Sequence, residues 1–184
     1  MFILYAIPIG IILGYLLGGR LERLGAIRFR WAALAVGGLL VQVALFSPLI
    51  APAVGDFGPP VYVLSTAAVF VAVVRNWRIP GMALVIAGAA SNLLAIAANG
   101  GVMPADPAAI ASLGLDAADG FTNSVVMADP ALRPLTDIFA MPTILPFANV
   151  FSIGDVLIAV GIALVIALGM RASSPTTARP TTAR

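Results

Sequence analysis

Residues 57–105 read FGPPVYVLSTAAVFVAVV, then RNWR, then IPGMALVIAGAASNLLAIAANGGVMPA. Arg75 and Arg78 are the only charges between two long uncharged blocks. A helix needs roughly 17 to 25 apolar residues to cross a hydrocarbon core, and each block is long enough. The short connection leaves room only for a tight hairpin with Trp77 at the interface, so the two spans are expected to be antiparallel neighbours. Working outward, charge is also absent from Met1 to Gly19 and from Trp31 to Gly55. A fifth apolar run, Val156 to Met170, reaches spanning length by starting near Ser152. Ser152 and Asp155 have the spacing of a capping box, in which the hydroxyl accepts from an orphan amide and the carboxylate reaches back.

Of the 184 residues, 61% are hydrophobic and 10% are charged, where a soluble domain carries about a quarter charged. The expected fold class is therefore all-α, an integral membrane bundle of about five transmembrane helices. The spans are placed at about 1–18, 31–53, 58–75, 79–98 and 152–170, in one membrane domain covering 1–170. Residues 99–151 form a long outer segment and 171–184 a disordered cytoplasmic tail, in which Pro-Thr-Thr-Ala-Arg occurs twice. The apolar run from Met1 lacks a basic leader and a small-residue cleavage site, so the first span is expected to be retained.

The charges orient the bundle. Arg20, Arg23, Arg28 and Arg30 follow span one, Arg75 and Arg78 follow span three, and Arg171, Arg179 and Arg184 follow span five. With Glu22 these segments carry +8, whereas Arg133 and the seven aspartates give the other side −6, together the +2 of the whole chain. Basic residues mark the cytoplasmic side, so the chain reads N-out and C-in, multi-pass in a bacterial plasma membrane. Arginines that hug membrane ends speak for lipid head groups and against nucleic acid as a partner. Cysteine and histidine are absent, which excludes disulfides, thiol or imidazole catalysis and metal sites built on those ligands. No cofactor is implied.

Within the spans, Gly10, Gly14 and Gly18 form a small-residue stripe suited to a neighbouring helix of this chain, a membrane protein partner or a second copy. Gln42 and Asn92 are isolated polar residues expected to face the bundle. In the outer segment, Asp106-Pro107 and Asp129-Pro130 each place a capping aspartate before a proline, predicting short helices at about 107–114 and 130–140. The uncharged run from Ile138 to Gly154 lies on the membrane surface or dips back into the bundle.

Two clusters interrupt the aliphatic background: Asn99-Gly100-Gly101-Val102-Met103-Pro104 and Asn149-Val150-Phe151-Ser152-Ile153-Gly154-Asp155. Both fall on the outer side, so they are expected to meet in one polar site built from Asn99, Gly100, Gly101, Met103, Pro104, Asn149, Phe151, Ser152, Gly154 and Asp155, with Gln42 and Asn92 as secondary candidates. No residue is assigned as catalytic. On these motifs, Asn-Gly-Gly-x-Met-Pro and Asn-x-Phe-Ser-x-Gly-Asp, the chain resembles a family of small bacterial integral membrane proteins of unknown function. The resemblance implies that both clusters are family features and carries no activity with it.

Plain structural readings compete. Asn and Gly end helices, and Asp155 suits a helix N-terminus. Ser152-Ile153-Gly154-Asp155 resembles the Gly-x-Gly-Asp element of intramembrane aspartyl proteases, but serine replaces the first glycine and no other span holds a second aspartate. The sequence thus favours a scaffold or accessory protein with a polar outer site. The alternatives are a membrane enzyme acting through Asp155 on a lipid-linked or outer-leaflet substrate, and a subunit of a small-solute or ion transporter.

Overall fold

The computed structural model describes residues 2–114 and 124–171, so the expected tail, apart from Arg171, lies outside the described residues. The described chain is mostly helical. Its helices are α1 (Ala6–Leu16, entered through a 3-10 turn at Phe2–Tyr5), α2 (Ala32–Leu45), α3 (Ala51–Val54), α4 (Gly58–Val74), α5 (Met82–Ala98), α6 (Pro107–Ser112) and α7 (Ile153–Gly169). Four short strands accompany them: β1 (Met103–Ala105) runs parallel to β2 (Ser124–Val126), and β3 (Phe139–Ala140) antiparallel to β4 (Val150–Phe151).

Helix α7 packs along α5 and α1, and α4 along α2 and α5. The long helices therefore follow each other across the bundle as α1, α7, α5, α4, α2. One helical stretch, Ala51–Val74, with 24 residues and mean hydropathy 1.9, is long and apolar enough to cross a membrane. The other apolar helices, Phe2–Leu16, Ala32–Leu45, Met82–Ala98 and Ile153–Gly169, have 17 residues or fewer. At 1.5 Å per residue the longest of these reach about 25 Å.

Many positions facing neighbouring helices are small, such as Ala6, Gly10 and Gly14 in α1, Gly88 and Ala95 in α5, and Ala159, Gly161 and Ala163 in α7, whereas Leu45, Tyr62, Val73, Met82, Val85 and Ile96 are large residues buried on α2, α4 and α5. Large aliphatic side chains point away from the bundle, among them Ile12, Leu16, Leu40, Val43, Leu64 and Leu94.

The expected second span, 31–53, is broken: α2 ends at Leu45, and helix resumes only at Ala51 in the short α3. Pro48 lacks the amide that would continue the ladder and biases Ser47 away from helical geometry. The Ser47 hydroxyl donates to Ala44 O at 2.7 Å and closes the end. The helix expected at 107–114 is α6, with Asp106 as its cap, accepting from the amides of Ala108 and Ala109. The helix expected at 130–140 does not form. Leu132 adopts a left-handed conformation, Pro134 follows, and only a 3-10 turn, Arg133–Leu135, precedes β3. The run from Ile138 to Gly154 folds back on itself through the pairing of β3 with β4.

The connections sort to two ends. At one, the Arg20 amide donates to Met170 O at 2.8 Å, and the loop before α2 meets the α4–α5 hairpin. At the other, the Tyr5 hydroxyl donates to Pro146 O at 2.7 Å, and the strands and α6 form a cap over α5 and α7.

Candidate functional site

Ser152 caps α7, its hydroxyl accepting from the Asp155 amide at 3.0 Å, while Asp155 Oδ2 accepts from the Ser152 amide at 3.1 Å. A third residue joins this box. Asn92 in α5 donates through Nδ2 to Asp155 Oδ1 at 2.8 Å, and its Oδ1 accepts from the Ser152 hydroxyl at 2.9 Å. The four bonds form a closed ring. Ser152 is fully buried.

The ring requires the backbones of α5 and α7 to lie close together. A β-carbon on Gly154 would land on the Asn92 amide oxygen, and one on Gly88 would land on Gly154 O. Gly154 therefore belongs to the site as empty space.

The other sequence-flagged residues divide differently from the expected grouping. Asn92, two turns earlier on α5, meets Asp155, whereas Asn99 serves the cap. The Asn99 side chain accepts from the Ala131 amide at 2.8 Å and donates to Ala131 O at 2.9 Å and to Ala95 O at 2.7 Å. Gly100 and Gly101 turn the chain with φ of 71° and 87°, and the Gly101 amide donates to Ile96 O at 2.9 Å, closing the helix end in a Schellman motif. Met103 packs with Leu45, Tyr62, Ala95 and Ile96, and Pro104 is buried. Asn149 donates to Val150 O at 2.7 Å, and Phe151 stacks on Phe2 at 4.3 Å. Gln42 donates to the Thr66 hydroxyl at 3.3 Å, tying α2 to α4. Gly10 is covered by α7 and Gly14 by Met170 just beyond its end, whereas nothing lies against Gly18.

Replacing Asn99 with alanine is expected to cost about 1 to 2 kcal/mol, because two backbone groups of Ala131 lose their partner. Faster protease cleavage within 124–140, with little change around α7, would register that loss.

Asp137 is the residue that sequence reading passed over, having counted it only as one outer charge. It is 4% exposed, accepts from the Ser124 hydroxyl at 2.7 Å through Oδ2, and among the described residues has no partner for Oδ1. Burial pushes its carboxyl up to about 7, the Ser124 bond opposes this, and the charge of Asp155 adds to it. Its backbone joins the cap, accepting from the Asp106 amide and donating to Pro104 O. Asp106 behaves in the opposite way. The Arg133 guanidinium at 2.9 Å, with the amides of Ala109 and Ala108, holds its carboxyl below the usual range. Among the described residues no three acidic side chains gather where they could hold a metal.

Chemically, each Asp155 carboxylate oxygen accepts one bond from a donor of the fold itself. No curated protein and no solved structure matches this chain. A family model does match, a family of unknown function (DUF5317), over residues 26–167. That match takes in both motif clusters and most of the helical bundle, and the chain belongs to this family.

Proposed function

We propose that this chain is a five-span protein of the bacterial plasma membrane, N-out and C-in, serving as a scaffold or accessory protein that presents the cap at 99–151 to a partner on the outer face. The observation that carries the scaffold reading is the closed ring around Asp155. Both carboxylate oxygens already accept from donors of the fold, the Asn92 side chain and the Ser152 amide, so the work this group does in the structure is positional. The ring fixes the angle between α5 and α7 directly beneath the cap.

Immersion in lipid is supported by the many large aliphatic side chains exposed on the outside of the helices, by the small residues at their contacts and by the segregation of charge. Lipid gives large aliphatic side chains no reason to turn inward, so close backbone contact between small residues holds the helices together. The arginine-bearing connections gather at one end and the acidic cap at the other. An ion-conducting subunit is the second reading, favoured by the buried Asp137 and its unpartnered oxygen.

Single cysteines test the arrangement without background, because the native chain has none. With an impermeant thiol reagent on intact cells, Ala111→Cys is expected to label and Ala26→Cys to label only after the membrane is opened. Equal labelling of both before and after opening would overturn the topology. Loss of a proton or ion flux with Asp137→Asn, in vesicles holding normally folded protein, would replace the scaffold with the second reading.

A further inference from the structure

At the end of the bundle away from the cap, a cavity of about 260 Å³ opens between the loop before α2 and the α4–α5 hairpin. Arg28 and Arg30 line it from one side, and Arg75, Asn76, Trp77 and Arg78 from the other. We infer that this cavity is a binding site for a phosphate-bearing anion, supplied by the head group of an anionic phospholipid in the facing leaflet.

Dispersed arginines would satisfy topology equally well, so their convergence is the observation to explain. Two loops far apart in sequence are locked together by one buried side chain. Asn76, 4% exposed, accepts from the Arg30 amide at 2.7 Å and donates to Arg30 O at 2.7 Å and to Ala72 O at 2.7 Å. That clamp brings four arginines into the lining of one opening. Among the described residues none of the four pairs with a carboxylate, the single ion pair there being Arg133 with Asp106. Arg75 stands over the Trp31 ring at 6.0 Å and Arg78 over the Trp77 ring at 5.2 Å. Stacking holds a guanidinium plane while its donors stay available, and the planar fork matches two phosphate oxygens. Both tryptophans are exposed, as residues at the head-group level are.

The lipid source rests on the membrane reading, whereas the phosphate chemistry does not. The test uses the purified full chain, titrated with phosphatidylglycerol, phosphatidylcholine and inorganic phosphate, with the thermal midpoint and bound lipid as readouts. Phosphatidylglycerol is expected to bind in preference to phosphatidylcholine. Arg75→Gln with Arg78→Gln should weaken it by about 25-fold, taking roughly a fivefold loss per arginine. Arg75→Lys with Arg78→Lys keeps the charge and the orientation in the membrane, yet should weaken binding roughly fivefold by losing the fork. Arg20→Gln with Arg23→Gln, equal in charge but outside the cavity, should change binding by less than about threefold.

Equal losses from both glutamine pairs, or a lysine pair that binds as the native chain does, would reduce the site to diffuse surface charge and overturn the inference. Saturation by inorganic phosphate alone would uphold the cavity and assign it a soluble source. If the chain proves water-soluble, the phosphate titration of the same variants still decides, so the two readings fail separately.

Discussion

Asp155→Asn is expected to destabilise the protein by about 2 to 3 kcal/mol, and the exchange Asn92→Asp with Asp155→Asn to recover most of that loss. The reason is a count of donors. Asn92 Nδ2 and the Ser152 amide both point hydrogens at the Asp155 carboxylate, one at each oxygen. An amide at 155 offers one oxygen and turns its own hydrogens on the remaining donor. In the exchange, the amide at 155 keeps its oxygen on the Ser152 amide and donates to a carboxylate at 92. The other oxygen of that carboxylate takes the Ser152 hydroxyl, so the ring closes again with its charge moved by one residue. A thermal or denaturant melt of the four variants reads the coupling directly. A catalytic or ion-binding carboxylate would not tolerate the move. Full stability in the exchanged protein with lost function would put the chemistry back at Asp155.

The legible part of this molecule was whatever local composition dictates. The uncharged blocks gave the long helices, Ser152 and Asp155 gave the capping box, and Asp106-Pro107 gave the start of α6. Gly100 and Gly101 announced the end of α5. What sequence could not supply was distance between residues remote along the chain. Asn99 and Asp155 share a side in the topology read from the charges, and only packing reveals that Asn92 is the one in reach, because Gly88 and Gly154 bring those two turns together. Asp129-Pro130 carries the same local signal as Asp106-Pro107, yet Leu132 turns left-handed and Pro134 follows, so no helix forms.

The two asparagine clamps make the same point. Asn76 and Asn99 each sit at the end of a long helix, each returns a bond to the carbonyl four residues back, and each grips both polar backbone groups of one remote residue. Helix termini have spare carbonyls, and an asparagine there satisfies one while its amide imitates a strand neighbour. The sequence announces the first role through the residue type. It is silent on the second, because Arg30 and Ala131 lie 46 and 32 residues away.

Stability is expected to fall as pH rises from about 4 to about 7, and Asp137→Asn is expected to abolish that fall. In the folded cap the Asp137 carboxyl keeps its proton up to about 7, against an ordinary value of 3.8 that the unfolded chain restores. Between those values the unfolded chain has released a proton that the folded one retains, so each step up in pH favours unfolding. Below pH 4 both states are protonated and the full contribution is present. Above pH 7 both are ionised and the loss is complete. Three units correspond to about 4 kcal/mol, an upper figure because relaxation and water entry around an ionised carboxylate reduce it. Asp106 titrates in a different window. Its lowered value supports stability above the ordinary carboxylate range and withdraws it only in stronger acid. Melting midpoints of the purified protein between pH 4.5 and 8 should therefore fall steadily, and the amide variant should stay level and overtake the native chain near pH 8. A native protein whose midpoint is flat or rises across that interval would mean that the carboxyl is solvated in solution, and the buried, unpartnered oxygen of Asp137 would lose its significance for the cap.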